Sequence, residues 1–225
     1  MINTILTSNL NNKNLNHTKS KSLLEKNWIT LKSSINKGHK KILVEKLLSK
    51  GSFNDVYSYS NNSKINNDYI IRILNDHSDK DIVMSELKGI IIQNKLCKKS
   101  KLIGQIVDYG IADNKYQYSI LKKYDKSLKD LLNETFIFYS VETVIKFLYN
   151  LIKVVYIIHK NNIAHLDLKP ENILLHKIQY KNNKLFDFEF AVIDFGGSQK
   201  FIDDDSKTLD AQMASAQFSP PELLK

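Results

Sequence analysis

The chain has 225 residues, 42% of them hydrophobic, enough for one sizeable core or for two smaller lobes sharing a cleft. Lysine and arginine outnumber aspartate and glutamate by 33 to 24, a net charge of +9. The lysines are interleaved with asparagines along the whole chain (11–16 and 181–184) and form no single stripe, so no specific nucleic-acid partner is expected. One cysteine, Cys97, excludes an internal disulfide framework and argues against a cysteine zinc site. Residues 1–16 lack a charged leader followed by an apolar block, and Lys146, Asn150 and Lys153 interrupt the most apolar stretch, 141–158. The expectation is a cytoplasmic or otherwise intracellular protein with no membrane segment.

In chain order, residues 1–22 are rich in asparagine and serine and free of aromatic residues, the composition of a disordered tail. Over 23–40 the spacing of Leu23, Leu24, Trp28, Leu31 and Ile35 predicts a short amphipathic helix packed on the domain as an N-terminal extension. Runs at 42–48 and 55–59 flank a turn centred on Gly51, and 69–74 supplies a third strand. Val83, Leu87, Ile90 and Ile91 recur at helical spacing, with Glu86 at the edge of that apolar face. Strands near 106–109 and 116–121 complete a five-stranded antiparallel sheet. Beyond Tyr124 the character changes: 128–132 is helix-like, and Val144, Phe147, Leu148, Leu151, Ile152, Val155 and Ile158 fit one long stripe with Ser140 as its N-cap. The fold class predicted is α+β in two lobes, a sheet plus one helix over 41–123 and a mainly helical lobe over 124–225.

The chemistry sits in two short runs. Residues 165–172 read HLDLKPEN, and Asp194, Phe195 and Gly196 follow downstream. Asp167 can accept the proton of an attacking hydroxyl, and Lys169, two residues on, can neutralise a moving phosphoryl group. Asn172 and Asp194 offer the hard oxygen ligands that magnesium prefers.

The order of these pieces resembles the eukaryotic protein kinase family, from about Lys41 to Lys225. The resemblance implies a two-lobed kinase fold, ATP and Mg2+ as cofactors, and a protein substrate. It gives Asp167 and Lys169 the catalytic roles and Asn172 and Asp194 the metal. LSKGSFNDVY (48–57) is similar to the family's glycine-rich loop, with Ser49 and Asn54 where glycines are usual. By that resemblance Gly51 approaches the phosphates, Phe53 caps them, and Leu48 and Val56 lie against adenine. Tyr69, Ile70, Ile71 and Arg72 stand where the family has VAIK, so Arg72 replaces a lysine, a non-conservative exchange at a shaped phosphate contact. Glu86 is its candidate ion-pair partner. Leu121 or Lys122 faces the adenine edge, depending on register.

Leu166 replaces the arginine of the family's H-R-D triplet, which in many relatives receives an activation-loop phosphate; weak dependence on phosphorylation at Ser206 or Thr208 is therefore expected. ASAQFSPPE (214–222) resembles the end of an activation segment that begins at Phe195 and Gly196. Pro221 and Glu222 then form its closing pair, and Ser215 falls where Ser/Thr-directed members carry a threonine. The family continues with further helices after this motif, so the expectation is an incomplete second lobe, with another molecule covering its apolar face or a longer parent chain. The readings that stay open are a Ser/Thr protein kinase, a pseudokinase that binds nucleotide or a partner without transfer, and a small-molecule kinase.

Overall fold

Residues 28–33, WITLKS, place Ile29 and Leu31 in the interior and their neighbours outward, the two-residue period of a strand. This is a finding of the computed structural model, which describes residues 24, 26–51, 53–61, 64–75, 79–134, 138–182, 184–200 and 218. The expected helical extension over 23–40 is corrected: β1 (Trp28–Ser33) is extended, with Trp28 exposed. Strand pairing on both of its sides satisfies backbone groups that a helix would have satisfied internally, and the tertiary partner decides between the two periods. The expected tail, 1–22, lies outside the described residues.

The first lobe continues with β2 (His39–Lys50), β3 (Asn54–Asn61), β4 (Lys64–Ile65), β5 (Tyr69–Leu74), α1 (Lys80–Cys97), β6 (Ile106–Ala112) and β7 (Tyr116–Lys122). Among the described residues the sheet therefore has seven strands where five were expected. β1 pairs with β2 and β6, β6 with β7, β7 with β5, β5 with β3, and β3 with β2, all antiparallel. Those pairings close a six-stranded ring, with β4 added on β3. Closure removes the open edges that β2 and β6 would otherwise present. The interior is filled by alternating residues: Ile29 and Leu31, Ile42 and Val44, Tyr57 and Tyr59, Ile71 and Ile73, Tyr118 and Ile120. Gly110 is what lets β1 approach β6, because a Cβ there would lie 2.0 Å from the Lys32 carbonyl oxygen. Ser33 Oγ donates to Asp108 Oδ1 at 2.6 Å and Thr30 N to Asp113 Oδ1 at 2.7 Å, fixing the register of the added strand. Burial and the adjacent Asp108 carboxylate push the Tyr118 phenol above its ordinary range.

Asp79 caps α1 by accepting from Asp81 N and Ile82 N, and the helix lies on the outside of the barrel through a small cluster of Ile90, Ile106 and Leu121.

The second lobe comprises β8 (Lys126–Ser127), α2 (Leu128–Leu132), β9 (Phe138–Tyr139), α3 (Val141–Lys160), β10 (Ile163–Ala164), a 3-10 turn (Pro170–Asn172), β11 (Ile173–Lys181), β12 (Lys184–Val192) and β13 (Gln199–Lys200). Ser140 caps α3, accepting from Thr143 N at 3.1 Å. Among the described residues this lobe is not mainly helical: its frame is a four-stranded sheet, β8-β11-β12-β9, built on a hairpin of two nine-residue strands. Alternation in 173–181 and 184–192 carries that hairpin, with Leu175, Leu185, Phe188 and Phe190 turned into the core. Ile92, Leu96 and Ile103 share this core with Val154, Ile158 and Phe195, so α1 and its following loop are packed into the second lobe as well as the first. Along α3 only part of the predicted stripe is covered: Ile158 is buried and Phe147, Leu151 and Val155 pack against the core, whereas Val144, Leu148 and Ile152 are exposed; outside the stripe, Val154 is buried and Val141, Ile145 and Tyr156 are exposed. No helix among the described residues is long and apolar enough to cross a membrane.

Candidate active site

Alternation along β5 sends Ile71 and Ile73 into the barrel and Arg72 out toward α1. Arg72 Nη2 lies 2.7 Å from Glu86 Oε2, and the glutamate is buried, not at the edge of a solvated face. The same guanidinium reaches Asp194 Oδ1 through Nη1 at 3.7 Å. Its Nε is buried with no hydrogen-bond partner among the described residues. Arg72 thus spans two carboxylates, one on the helix and one on the segment after β12.

α1 approaches that segment closely. A Cβ at Gly89 would lie 2.6 Å from Gly196 N, so no side chain fits between helix and loop. Ser85 Oγ donates to Gly196 O at 2.6 Å, and Gln93 Oε1 accepts from Asp194 N at 3.2 Å. Ser85, Gly89 and Gln93 were not singled out by the sequence reading. The available signal was their spacing: Glu86, Gly89 and Gln93 fall at i, i+3 and i+7 on one helix face, and Gln93 ends an isoleucine run.

The loop between β10 and the 3-10 turn carries the other half of the site. His165 is buried; its Nδ1 accepts from Asp167 N at 3.3 Å, which leaves the proton on Nε2, 3.0 Å from Ile193 O. Burial holds this imidazole below its ordinary range, and its ring packs on Phe195 with centroids 4.6 Å apart. Asn172 Nδ2 donates to Asp167 O at 2.9 Å and to Asp167 Oδ2 at 3.1 Å, while Lys169 Nζ lies 2.7 Å from the same carboxylate oxygen. Ile193 N donates to Asn172 O at 2.9 Å, tying the loop to the residue before Asp194. Asp167, Lys169, Asn172, Asp194, Arg72 and Glu86 are therefore joined by consecutive contacts.

Two backbone positions in this network are left-handed, Leu166 at φ 64° and Asp194 at φ 65°. Such conformations cost on the order of 1–3 kcal/mol each and persist only where the surroundings enforce them. Leu166 lines a mostly apolar cavity of about 280 Å3 with Val155, Ile158, His159, His165, Leu168 and Phe218, a setting that suits leucine.

At the other end of the cleft, Gly51 N donates to Asn54 O at 2.9 Å, closing the β2–β3 turn. Gly51 is not in a left-handed conformation; it is there for closeness, since a Cβ would sit 2.8 Å from Asn54 O. Val56 is paired in register with Arg72, Phe53 is half-buried and Leu48 exposed. Leu121 turns its side chain to Ile90 and Ile106 behind the cleft, and Lys122 pairs with Glu189 at 3.5 Å. Ser206, Thr208, Ser215, Pro221 and Glu222 lie outside the described residues.

The donor set fits a magnesium ion shared with phosphates. Asn172 commits its Nδ2 to Asp167, leaving Oδ1 without a hydrogen bond to any described residue, and Asp194 supplies a half-exposed carboxylate. No cluster of three or more His, Cys, Asp or Glu occurs among the described residues, so the protein alone supplies too few ligands for an ion that keeps waters and phosphate oxygens.

The candidate site thus combines a sheet lobe with one bridging helix, a loop holding Asp167, Lys169 and Asn172, and Asp194 facing an Arg–Glu pair. The family model described as Protein kinase domain matches residues 42–225, and the chain belongs to that family. β1 precedes the matched region. The chain is 29% identical over 181 residues to calcium-dependent protein kinase 4 of Plasmodium berghei, covering 80% of this chain and 32% of that protein. It is 26% identical over 190 residues to the dual specificity protein kinase Ttk of Danio rerio, covering 83% and 18%. A Dictyostelium discoideum protein named a probable inactive serine/threonine-protein kinase is 37% identical over 71 residues, covering 31% and 8%. The chain spans about a third or less of the length of these relatives.

Proposed function

We propose that the chain transfers the γ-phosphate of ATP to a serine or threonine hydroxyl of a protein substrate. The observation that carries this is the continuous set of contacts from Glu86 through Arg72 and Asp194 to Asn172, Asp167 and Lys169. Asp167 Oδ2 accepts the proton of the acceptor hydroxyl, whose oxygen bonds to the γ-phosphorus as the bond to the ADP oxygen breaks and ADP keeps that electron pair. Asn172 Nδ2 and Lys169 Nζ orient the carboxylate, and Lys169 offsets charge on the moving group. Arg72 meets the non-transferred phosphates, with Gly51 and Phe53 covering them and Leu48 and Val56 bounding the adenine side, while Leu121, turned to Ile90 and Ile106, closes the back of the cleft. Mg2+, held by Asp194 and Asn172, neutralises phosphate charge when bound. Phe195 and Gly196, with Ser215, Pro221 and Glu222, belong to the segment that receives the substrate. A partner covers the exposed apolar face of α3.

Labelled ATP, Mg2+ and a generic protein substrate test this reading. Asp167→Asn is expected to lower transfer by about 10²-fold or more, and label is expected on serine or threonine. Transfer unchanged in Asp167→Asn contradicts the assignment of the base, and label confined to tyrosine contradicts the acceptor.

A second reading, nucleotide binding without transfer, is favoured by the Arg72–Asp194 contact at 3.7 Å, which sets a cation where the metal-binding carboxylate must act. Its mark is an ATP-induced rise in melting temperature with no transfer at any Mg2+ concentration.

A further inference from the structure

We propose that Gln93 is the positioning residue for Asp194, holding its backbone in the left-handed conformation that aims the carboxylate into the cleft. The proposal rests on the reading of the site as one for Mg2+ and ATP. Gln93 is buried in the interior face of α1. A buried primary amide is costly unless both of its ends are paired, and here both are. Oε1 accepts from Asp194 N at 3.2 Å and Nε2 donates to Gly104 O at 2.8 Å.

Two glycines open the space for this bridge. A Cβ at Gly104 would lie 2.3 Å from Ile193 Cγ2 and 3.1 Å from Gln93 Nε2, and one at Gly89 would lie 2.6 Å from Gly196 N. The helix therefore meets residues 195–196 backbone to backbone at Gly89, the loop at 104 meets the Ile193 side chain, and the Gln93 side chain connects the two. Asp194 holds φ 65°, a conformation that needs an external restraint, and the Gln93 oxygen supplies it from the helix that also carries Glu86. When the amide is lost, Asp194 N has no other partner among the described residues and the backbone can relax, taking the carboxylate away from Arg72. An outer partner that orients a ligand in this way typically sets metal affinity by 10–100-fold, roughly.

The test uses the full chain in three forms: wild type, Gln93→Met, which has neither hydrogen bond, and Gln93→Glu, which keeps an oxygen facing Asp194 N. ATP binding is measured calorimetrically across a Mg2+ series and in EDTA, with melting temperature and amide exchange of the 193–196 peptide recorded without ligand. Gln93→Met is expected to raise the Mg2+ needed for half-maximal ATP binding by about tenfold, leave binding in EDTA unchanged, and speed exchange at 193–196. Gln93→Glu, which keeps the acceptor for Asp194 N but loses the bond to Gly104 O, is expected to lower the melting temperature while staying closer to wild type than Gln93→Met in Mg2+ requirement and in exchange at 193–196. If Gln93→Met does not fold, Gln93→Asn, one methylene short of both partners, takes its place. A lowered melting temperature with an unchanged Mg2+ requirement in Gln93→Met overturns the proposal, as does an equal rise of that requirement in Gln93→Met and Gln93→Glu, which would assign the effect to the Gly104 bond. A wild type that binds no ATP at any Mg2+ concentration overturns the site reading and this inference with it. Wild-type binding with an unaffected Gln93→Met overturns the inference alone.

Discussion

Arg72 shows why the lysine-to-arginine exchange matters. A lysine offers one point charge on a flexible stem, whereas the planar guanidinium presents two terminal nitrogens and reaches Glu86 at 2.7 Å and Asp194 at 3.7 Å together. Glu86, buried, depends on that cation for charge compensation. His165 is the second residue whose chemistry the surroundings dictate. Burial holds its imidazole below the ordinary value of 6.5, so the folded protein keeps it neutral where the unfolded chain would protonate it. Above pH 6.5 both states are neutral and its contribution is fully present. As the pH falls below 6.5 the unfolded state binds the proton first, and stability is lost until the folded-state value is reached. The melting temperature of wild type is therefore expected to fall more steeply between pH 7 and acid than that of His165→Phe, in which this proton is absent. Parallel curves would contradict a neutral buried His165.

At the scale of elements, β1 is the part of the fold least legible beforehand. Leu24, Trp28, Leu31 and Ile35 satisfy a helical period while Ile29 and Leu31 satisfy a strand period, and six residues are too few for either to win locally. The decision belongs to β2 and β6, both remote in sequence, and to Gly110, whose missing side chain admits the strand. By contrast β2, β3, β5, α1 and α3 were legible because apolar period, turn and cap agree within each segment, as Ser140 and Thr143 do at the start of α3. Gly110→Ala is expected to lower the melting temperature on the order of 5 °C, since the added carbon forces β1 off the sheet. Gly38→Ala is the control, because its added carbon meets nothing nearer than 3.9 Å. Equal behaviour of the two variants would contradict a structural role for the barrel closure.

For the whole molecule, the site is a junction between pieces read separately. Asp167, Lys169, Asn172 and Asp194 were legible because two short runs carry chemistry in a fixed order. Gln93 and Ser85 were not, because each acquires its meaning from a contact 101 and 111 positions away. The second lobe was misjudged for a related reason: helical periodicity in α2 and α3 is conspicuous, while the hairpin of β11 and β12 shows its alternation only against the core it covers. The exposed side of α3, with Val141, Ile145, Leu148, Ile152 and Tyr156, leaves an apolar face among the described residues.

The central claim is that residues from both lobes meet on one magnesium nucleotide. A crystal structure of the full chain with Mg2+ and a non-hydrolysable ATP analogue tests it most directly. The account predicts metal density between Asp194 and the Asn172 amide oxygen, phosphates beside Arg72 and Gly51, and the γ-phosphate facing Asp167. A nucleotide bound elsewhere, or metal density away from both Asp194 and Asn172, would contradict it.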